Sequence, residues 1–462
     1  MCARLRVLWQ RAILTCVLIG FAVSAWPNDI EQVNGELARY VADLDDGFSW
    51  REMTSGRIGN VEYVEYLLTS QTWRGIEWKH QLFLLRPQDM SVHSRSALLF
   101  VHGGRWKPEY ESGRDTAELP REARHFARLA EAIRAPVGVL RQVPFQPLFK
   151  RREDALIAYT LDQYLRTGER DWPLLLPMVK SVVRAMDAVQ SIARERWDAS
   201  ISAFTVAGAS KRGWTSWLTA AVDPRVVAVA PMVIDMLNMP AQIEHQRATW
   251  GDLSQEIADY AALDLPSRLQ STRGSELLSL VDPFSYRTRL TSAKLIILST
   301  NDRYWPLDAL KLYWSELPDP KHVLYVPNQG HGLRDVDRLV GALSALHRYA
   351  AAGETLPALR WSFAPRDHRL AIHIETQRPA ARARVWTATS ATKDFRDVRW
   401  RSRVCSREKP TVHSCMSVRD PSVYTAVFGE VTFEDPGHPP FSLTTTVCIA
   451  APRGVGADAC RT

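Results

Sequence analysis

The segment from Phe204 to Trp217 constrains the fold more than any other part of the chain. An apolar, strand-like run ends just before Ser210, and a helix-like run begins directly after it. Such a tight turn lifts the serine hydroxyl above the sheet and leaves the N–H of Lys211 at a helix N-terminus, where it can stabilise an oxyanion. The segment departs from the G-x-S-x-G pattern, because Arg212 stands where a glycine is usual and Gly213 follows one place later. It predicts a nucleophile elbow, although a serine that merely caps the helix is the alternative.

Two further polar groups follow apolar runs that are typical of buried strands. Asp302 comes after the run 294–300, and His331 comes after the run 322–327. Ligands bind beyond the C-terminal ends of strands in open α/β sheets, so these groups and Ser210 are expected to converge. Their order along the chain is that of α/β-hydrolases, and a serine nucleophile needs an imidazole that a carboxylate orients. The sequence therefore predicts a Ser–His–Asp triad; an Asn-Asp turn and an ordinary loop histidine are the alternatives.

A glycine-rich loop follows another apolar run, residues 96–101. Its sequence, His102-Gly-Gly-Arg-Trp106, resembles the HGG-type loop that supplies the second oxyanion donor in many lipases and esterases. We predict that the backbone N–H of Gly104 or Arg105 is this donor and that His102 is structural. A plain glycine turn is the alternative.

Three side chains are predicted to contact substrate. Trp106 and Trp305 follow strand ends and suit the wall of a pocket for sugar or acyl groups. The elbow is also similar to the Ser-Arg-x-Gly elbow of glucuronoyl esterases, which implies that Lys211 stabilises the oxyanion or recognises an acidic substrate. A solvated surface cation is the alternative for Lys211 and, more strongly, for Arg212.

A wider resemblance is carried by segments throughout the chain after residue 35. They are Leu37-Ala-Arg-Tyr-Val41, Phe48-Ser-Trp50, Val143-Pro-Phe-Gln-Pro-Leu148, Glu153-Asp-Ala-Leu-Ile-Ala-Tyr-Thr160, Leu176-Pro-Met-Val-Lys-Ser181, Arg184-Ala-Met-Asp-Ala-Val-Gln190, Gly208-Ala-Ser-Lys-Arg-Gly-Trp214, Ala221-Val-Asp-Pro-Arg-Val226, Val281-Asp-Pro-Phe-Ser-Tyr286 and the loops of Asp302 and His331. In these segments the chain resembles the PhoPQ-activated pathogenicity-related protein family, a group of secreted bacterial α/β-hydrolase-like proteins. The resemblance implies one α/β-hydrolase domain followed by a small β domain, and it leaves the natural substrate open.

The N-terminus has the pattern of a signal peptide. Arg4, Arg6 and Arg11 precede a short apolar run at 12–22, and Val23-Ser-Ala25 offers small residues for cleavage. The apolar run is shorter than the roughly 20 residues of a membrane span, so no stable span is expected once residues 1–25 are removed. The mature protein is predicted to be periplasmic or secreted.

An exported chain folds where disulfides form. Four cysteines remain after the signal segment, all near the C-terminus. They allow three pairings, of which we favour Cys405–Cys415 and Cys448–Cys460.

Composition excludes several classes of protein. The 462 residues are 46% hydrophobic, which is enough for a large core. The net charge of +7 falls to +4 without the three arginines of the signal segment, and no basic stripe or nucleic-acid motif is present, so nucleic acid is not an expected partner. No dense cluster of metal ligands occurs, and neither a metal nor another cofactor is expected.

The pattern as a whole predicts an α/β-hydrolase fold at residues 26–355, with a helical cap at about 234–291. A small, sandwich-like all-β domain is predicted at 356–462, where strand patterns alternate with turn residues. The expected activity is hydrolysis of a small-molecule or cell-envelope ester, or less readily of an amide. The competing interpretation is a non-catalytic secreted binding or signalling protein on the same scaffold, which Arg212 at the usual glycine position favours.

Overall fold

The computed structural model describes residues 28–44, 46–90, 95–112, 122–366, 368–452 and 460. The predicted signal segment, residues 1–25, lies outside the described residues. Among the residues described, no helix combines the length and the apolar character needed to cross a membrane.

The described chain begins with a helix and three antiparallel strands, continues as alternating strands and helices, and ends in strands. The helices are α1 Asn28–Ala42, α2 Ala123–Ile133, α3 Glu153–Thr167, α4 Leu175–Trp197, α5 Lys211–Val222, α6 Met239–Trp250, α7 Ala258–Ala261, α8 Leu265–Arg268, α9 Thr272–Val281 and α10 Val336–Ala351. The strands are β1 Ser49–Ile58, β2 Val61–Trp73, β3 Ile76–Pro87, β4 Ser96–Val101, β5 Val137–Leu140, β6 Ala203–Ala209, β7 Val226–Met232, β8 Ala293–Ser299, β9 Lys321–Val326, β10 Leu359–Arg366, β11 Arg369–Thr376, β12 Arg382–Ser390, β13 Arg401–Val404, β14 Ser406–Lys409, β15 Val412–Val418, β16 Tyr424–Phe433, β17 Phe441–Thr444 and β18 Cys448–Ala450. Short 3-10 helices lie at Pro108–Glu111, Gln255–Ile257, Pro283–Arg289, Ala309–Leu312 and Trp314–Glu316.

One large sheet organises the described part of the molecule. Its strand order is β1-β2-β3-β5-β4-β6-β7-β8-β9-β17-β16-β12-β13, with β18 also paired to β16. Neighbouring strands from β5 to β9 run parallel, whereas β1, β2 and β3 pair antiparallel and extend one side. The apolar runs that precede His102, Ser210, Asp302 and His331 in the sequence are the parallel strands β4, β6, β8 and β9.

The central strands are apolar along their whole length because helices cover both faces of the sheet. Successive residues of β4 show this, since Leu98 and Leu99 are both fully buried but belong to opposite cores. Helices α2 and α10 pack on the face of Leu98, and α4 and α5 pack on the face of Leu99. This arrangement is an α/β-hydrolase fold, as predicted.

A helical cap joins β7 to β8. It consists of α6 to α9 with two 3-10 helices, and serine caps fix two of its turns: Ser254 Oγ accepts from Glu256 N, and Ser271 Oγ accepts from Gly274 N at 3.0 Å. The cap lies near the C-terminal ends of β6 and β7, because its side chains line one pocket with Ser210 and Ile234.

The C-terminal region is all-β, but part of it continues the central sheet. Strand β17 pairs antiparallel with β9 through Thr444 and Val323, so β9 is not left as an open edge. A second sheet, β10-β11-β15-β14, packs on this extension, where Ile374 of β11 lies against Gly429 of β16. The two disulfides that the spacing favours are both present, Cys405–Cys415 and Cys448–Cys460.

Candidate active site

Ser210 lies at a strained turn between β6 and α5. Its φ of 57° and ψ of −131° fall in a region that residues with a Cβ rarely adopt. The turn is held by its backbone, because Ser210 N donates to Met232 O at 2.8 Å and Trp214 N donates to Ser210 O at 3.0 Å. No side-chain capping bond of Ser210 satisfies the helix, so its hydroxyl is not used as an N-cap.

Two glycines allow the strand and helix of this elbow to touch. A Cβ on Gly208 would lie 2.6 Å from the carbonyl oxygen of Arg212, and a Cβ on Gly213 would lie 2.7 Å from that of Gly208. The close approach therefore uses the glycine at 213 instead of one at 212. The departure from G-x-S-x-G leaves position 212 free for a long side chain.

The side chain of Arg212 extends beneath the loop after β4. Its Nε donates to Val143 O at 2.6 Å, and its two terminal nitrogens each donate to one carboxylate oxygen of Glu153 at 2.8 Å. A Cβ on Gly103 would lie 2.5 Å from the guanidinium, so the loop needs a glycine there. Arg212 is buried, and the surface-cation alternative is wrong for it.

Lys211 is also buried, and its ammonium is paired. Its Nζ lies 3.0 Å from Glu153 Oε2 and 3.2 Å from Asp154 Oδ2. Burial raises the pKa of the Glu153 carboxyl, but Arg212 and Lys211 outweigh burial and bring that pKa down to about 2. Asp154 also accepts from the hydroxyl groups of Tyr260 and Tyr304, at 3.0 and 3.4 Å. Lys211 is thus not a solvated surface cation.

The loop that follows β4 is fixed by its backbone and by Gln146. His102 N donates to Leu140 O at 2.8 Å, and His102 Nδ1 lies 3.0 Å from Gly103 O. Gln146 Nε2 donates to Gly104 O at 3.0 Å, and Gly104 takes a φ of 137°. Within the described residues, no acceptor bonds the N–H of Gly104 or Arg105. Both N–H groups are therefore available to a ligand.

Asp302 and His331 are in contact. His331 Nδ1 lies 3.1 and 3.0 Å from Oδ1 and Oδ2 of Asp302. Because a carboxylate only accepts, this contact places the proton of the neutral ring on Nδ1 and leaves Nε2 as a base. The ring of Tyr304 stacks on His331 with centroids 4.2 Å apart, and Tyr304 N donates to Asp302 Oδ1 at 3.1 Å. In the residues described here, no hydrogen bond joins Ser210 Oγ to His331.

The C-terminal region supports the loops of these two residues. Asn301, beside Asp302, donates from Nδ2 to the carbonyl oxygens of Phe395, Arg396 and Val398 at 3.3, 3.2 and 2.8 Å. Asn328 donates to Trp400 O at 3.1 Å and accepts from Trp400 N at 2.7 Å. One C-terminal loop, residues 395–400, is therefore hydrogen-bonded both to the loop that carries Asp302 and to the loop that carries His331.

A largely apolar pocket of about 840 Å³, measured with its open mouth, lies between the elbow and the cap. Ser210, Lys211, Tyr304 and Trp305 border it, and most of its other lining side chains are apolar. Trp106 is not among the lining residues; it packs against Tyr110 and Phe145. Of the two predicted tryptophans, only Trp305 contacts this pocket.

The side chains that link these parts were not predicted as site residues from the sequence. They are Gln146, Glu153, Asp154, Asn301, Tyr304 and Asn328. The pair Glu153-Asp154 at the start of α3 was visible in the sequence, but its partners were not. Within the described residues, no group of three or more histidine, cysteine or acidic side chains is placed to hold a metal ion.

Three comparisons place the chain among known proteins. The family model described as PhoPQ-activated pathogenicity-related protein matches residues 37–399. "Autocrine proliferation repressor protein A" of Dictyostelium discoideum is 31% identical over 384 residues, which cover 78% of this chain and 75% of that protein. The acetyl xylan esterase from Paenibacillus sp. R4 has a TM-score of 0.50 at 14% identity, covering 71% of this chain and 95% of that one. At that identity the structural likeness concerns the fold alone.

Proposed function

We propose that this chain, which belongs to the PhoPQ-activated pathogenicity-related protein family, is a serine hydrolase that cleaves a carboxylic ester. The observation that carries the proposal is the contact of Asp302 with His331 Nδ1, which leaves Nε2 to act as a base. The strained elbow of Ser210 supports it, because such strain concentrates where a side chain must be presented to a substrate.

In the proposed reaction, Ser210 Oγ attacks the carbonyl carbon while His331 Nε2 takes the hydroxyl proton. The N–H groups of Lys211 and of Gly104 or Arg105 bind the oxyanion of the tetrahedral intermediate. The C–O bond to the alcohol then breaks, and His331 returns the proton to the departing alkoxide. Water, deprotonated by His331, releases the acid in the same way. Asp302 stabilises the imidazolium throughout but is not itself protonated.

Export is part of the proposal. The basic and apolar pattern of residues 1–25 is that of a signal peptide. Two disulfides suit an oxidising compartment, so we place the mature protein in the periplasm or outside the cell.

A second candidate function is non-catalytic signalling or binding. One observation favours it: the relative from Dictyostelium discoideum is named as a repressor of proliferation. In this alternative the fold is kept but Ser210 is not activated. The two candidates differ in whether Ser210 reacts as a nucleophile.

Labelling with a fluorophosphonate tests this difference, because the probe reacts only with an activated serine. We expect labelling of the mature protein at Ser210, its loss in Ser210→Ala and its retention in Ser275→Ala, a cap serine that is exposed. Peptide mapping by mass spectrometry locates the adduct. Folded protein that reacts with neither a small nor a bulky phosphonate would instead support the non-catalytic candidate.

A further inference from the structure

The pocket beside Ser210 is lined almost entirely by apolar atoms. The elbow helix contributes Trp214, the segment after β7 contributes Ile234, and the cap contributes Ile243, Leu265 and Leu277. Each of these side chains is buried in the folded protein, and Leu277 is fully so. Such a surface gains free energy when a second apolar surface replaces water against it.

Most polar groups at the pocket are engaged with protein partners, although Trp305 Nε1 has none among the described residues. Lys211 and Asp154 are the charged side chains among the described lining residues, and they pair with each other at 3.2 Å. The Tyr260 hydroxyl donates to Asp154, and Trp214 Nε1 donates to Val281 O at 2.5 Å. The pocket wall therefore presents neither a free charge for an acidic ligand nor the several free hydrogen-bonding groups that a sugar ring needs.

The size of the pocket also favours an apolar ligand that is longer than an acetyl group. The space that water-sized groups can occupy in the pocket is about 90 Å³, which is room for roughly six to nine such groups and more than an acetyl group fills. A short acyl group would leave most of the apolar wall in contact with water. A longer chain would cover it and extend beneath the cap.

We propose that this pocket binds an uncharged apolar chain of the substrate, of about six or more carbons. The preferred substrates would then be esters with a medium-length apolar chain on one side, and neither esters of two short groups nor esters of acidic sugars. The inference rests on the proposed function of Ser210. The chain can belong to the acid or to the alcohol of the ester, since both leave the carbonyl beside Ser210.

Two ester series test the proposal on the mature protein. The first varies the acid from acetyl to dodecanoyl in p-nitrophenyl esters, and the second varies the alcohol from ethyl to decyl in acetate esters. We expect kcat/KM to rise in one series by roughly two- to fourfold per methylene up to the length that fills the pocket. The series that rises identifies which side of the ester enters. Highest activity on ethyl and p-nitrophenyl acetates, with a decline in both series, would overturn the proposal.

A pocket-filling variant adds a structural control. In the ester series that rises, Ile243→Trp should lower the ratio of kcat/KM for the ten-carbon chain to that for the two-carbon chain at least tenfold, whereas Leu44→Trp, at a position that is 83% exposed, should leave this ratio unchanged. An unchanged ratio in folded Ile243→Trp would contradict the assignment of this pocket.

Binding without catalysis separates the two hypotheses. Decan-2-one should raise the Tm of Ser210→Ala more than butan-2-one does at equal concentration, because only the longer ketone fills the pocket. If phosphonate labelling fails but decan-2-one binds, the proposed hydrolase activity is wrong and the apolar site stands. If Ser210 is labelled but decan-2-one has no effect, the apolar site is wrong and the hydrolase activity stands.

Discussion

Arg212 and Glu153 form a bidentate ion pair that ties the serine elbow to the loop after β4. Both nitrogen–oxygen distances are 2.8 Å. Glu153 Oε1 also accepts from Gln146 Nε2 at 2.5 Å, and the same nitrogen donates to Gly104 O. A single carboxylate therefore connects the two backbone segments that we propose as the oxyanion site.

Glu153→Gln should impair this connection while keeping the shape of the side chain. We expect kcat to fall by about 10- to 100-fold, because the two oxyanion donors lose their common support. The loss of stability should be smaller, roughly 1–2 kcal/mol, since 43% of the Glu153 side chain is exposed and solvent screens the pair. Steady-state kinetics and urea unfolding measure the two effects. Glu169→Gln, which breaks an exposed pair with Arg74 at 2.8 Å, is the matched control and should change both kcat and the free energy of unfolding only slightly.

Lys211→Met tests whether the ammonium acts on the substrate. Because Nζ is paired with Glu153 and Asp154, we expect the variant to lose about 2–4 kcal/mol of stability. Its kcat/KM should change by the same factor for a neutral p-nitrophenyl ester and for an anionic one such as the hemisuccinate. A selective loss on the anionic ester of tenfold or more would show that Lys211 recognises acidic substrates. A large fall in kcat on the neutral ester, in protein of unchanged stability, would instead assign it a role at the oxyanion.

Asn301→Ala tests the support that the C-terminal loop gives to Asp302. The change leaves three carbonyl oxygens without their shared donor, so the Tm should fall, with a loss of about 1–3 kcal/mol. Phosphonate labelling should slow by about tenfold as the Asp302–His331 pair loses its position. Asn60→Ala, at an exposed turn between β1 and β2, serves as the control. Normal labelling by Asn301→Ala would show that the loop does not position Asp302.

Asp235 should make stability depend on pH. Burial raises the pKa of this carboxyl from 3.8 to about 7, while its Oδ1 accepts from Tyr313 OH at 2.6 Å. The folded state binds this proton more tightly than the unfolded state does. The resulting stabilisation of the fold is fully present below about pH 4 and is lost as the pH rises to about 7. Asp235→Asn keeps the acceptor and removes the charge. Relative to wild type it should become more stable by up to about 4 kcal/mol as the pH rises over that window.

Urea unfolding at intervals from pH 4 to pH 8 measures this difference. Asp252→Asn, an exposed position, should run parallel to wild type throughout. A constant difference between Asp235→Asn and wild type across the range would mean that Asp235 titrates normally.

The features that could be predicted from the sequence are those formed by residues close together along the chain. The elbow at Ser210 depends on a strand, a turn and a helix that are consecutive in sequence, and Asp302 and His331 each directly follow an apolar strand. The topology of parallel strands then brings their C-terminal ends to one edge of the sheet. The pairing of Cys405 with Cys415 is local in the same sense, with a separation of 10 residues.

Long-range partners could not be predicted in this way. Glu153 precedes Arg212 by 59 residues, and nothing near either residue indicates that they meet or that Arg212 is buried. Trp106 and Trp305 both follow strands, but the side chain of Trp106 turns towards Phe145 and away from the pocket. The partner of β9 is likewise set by tertiary packing, because an edge strand accepts any suitable neighbour.

The late position of residues 395–400 in the chain has a consequence for the order in which the parts of the proposed site form. The serine elbow is complete once β7 and the start of the cap exist, because its hydrogen bonds lie within that part of the chain. The loops of Asp302 and His331 gain their backbone partners only after Trp400 has been synthesised. In the proposed reaction, a nascent chain would therefore carry its nucleophile before it carries a supported base, and the order of synthesis itself would delay hydrolysis until the C-terminal loop is in place.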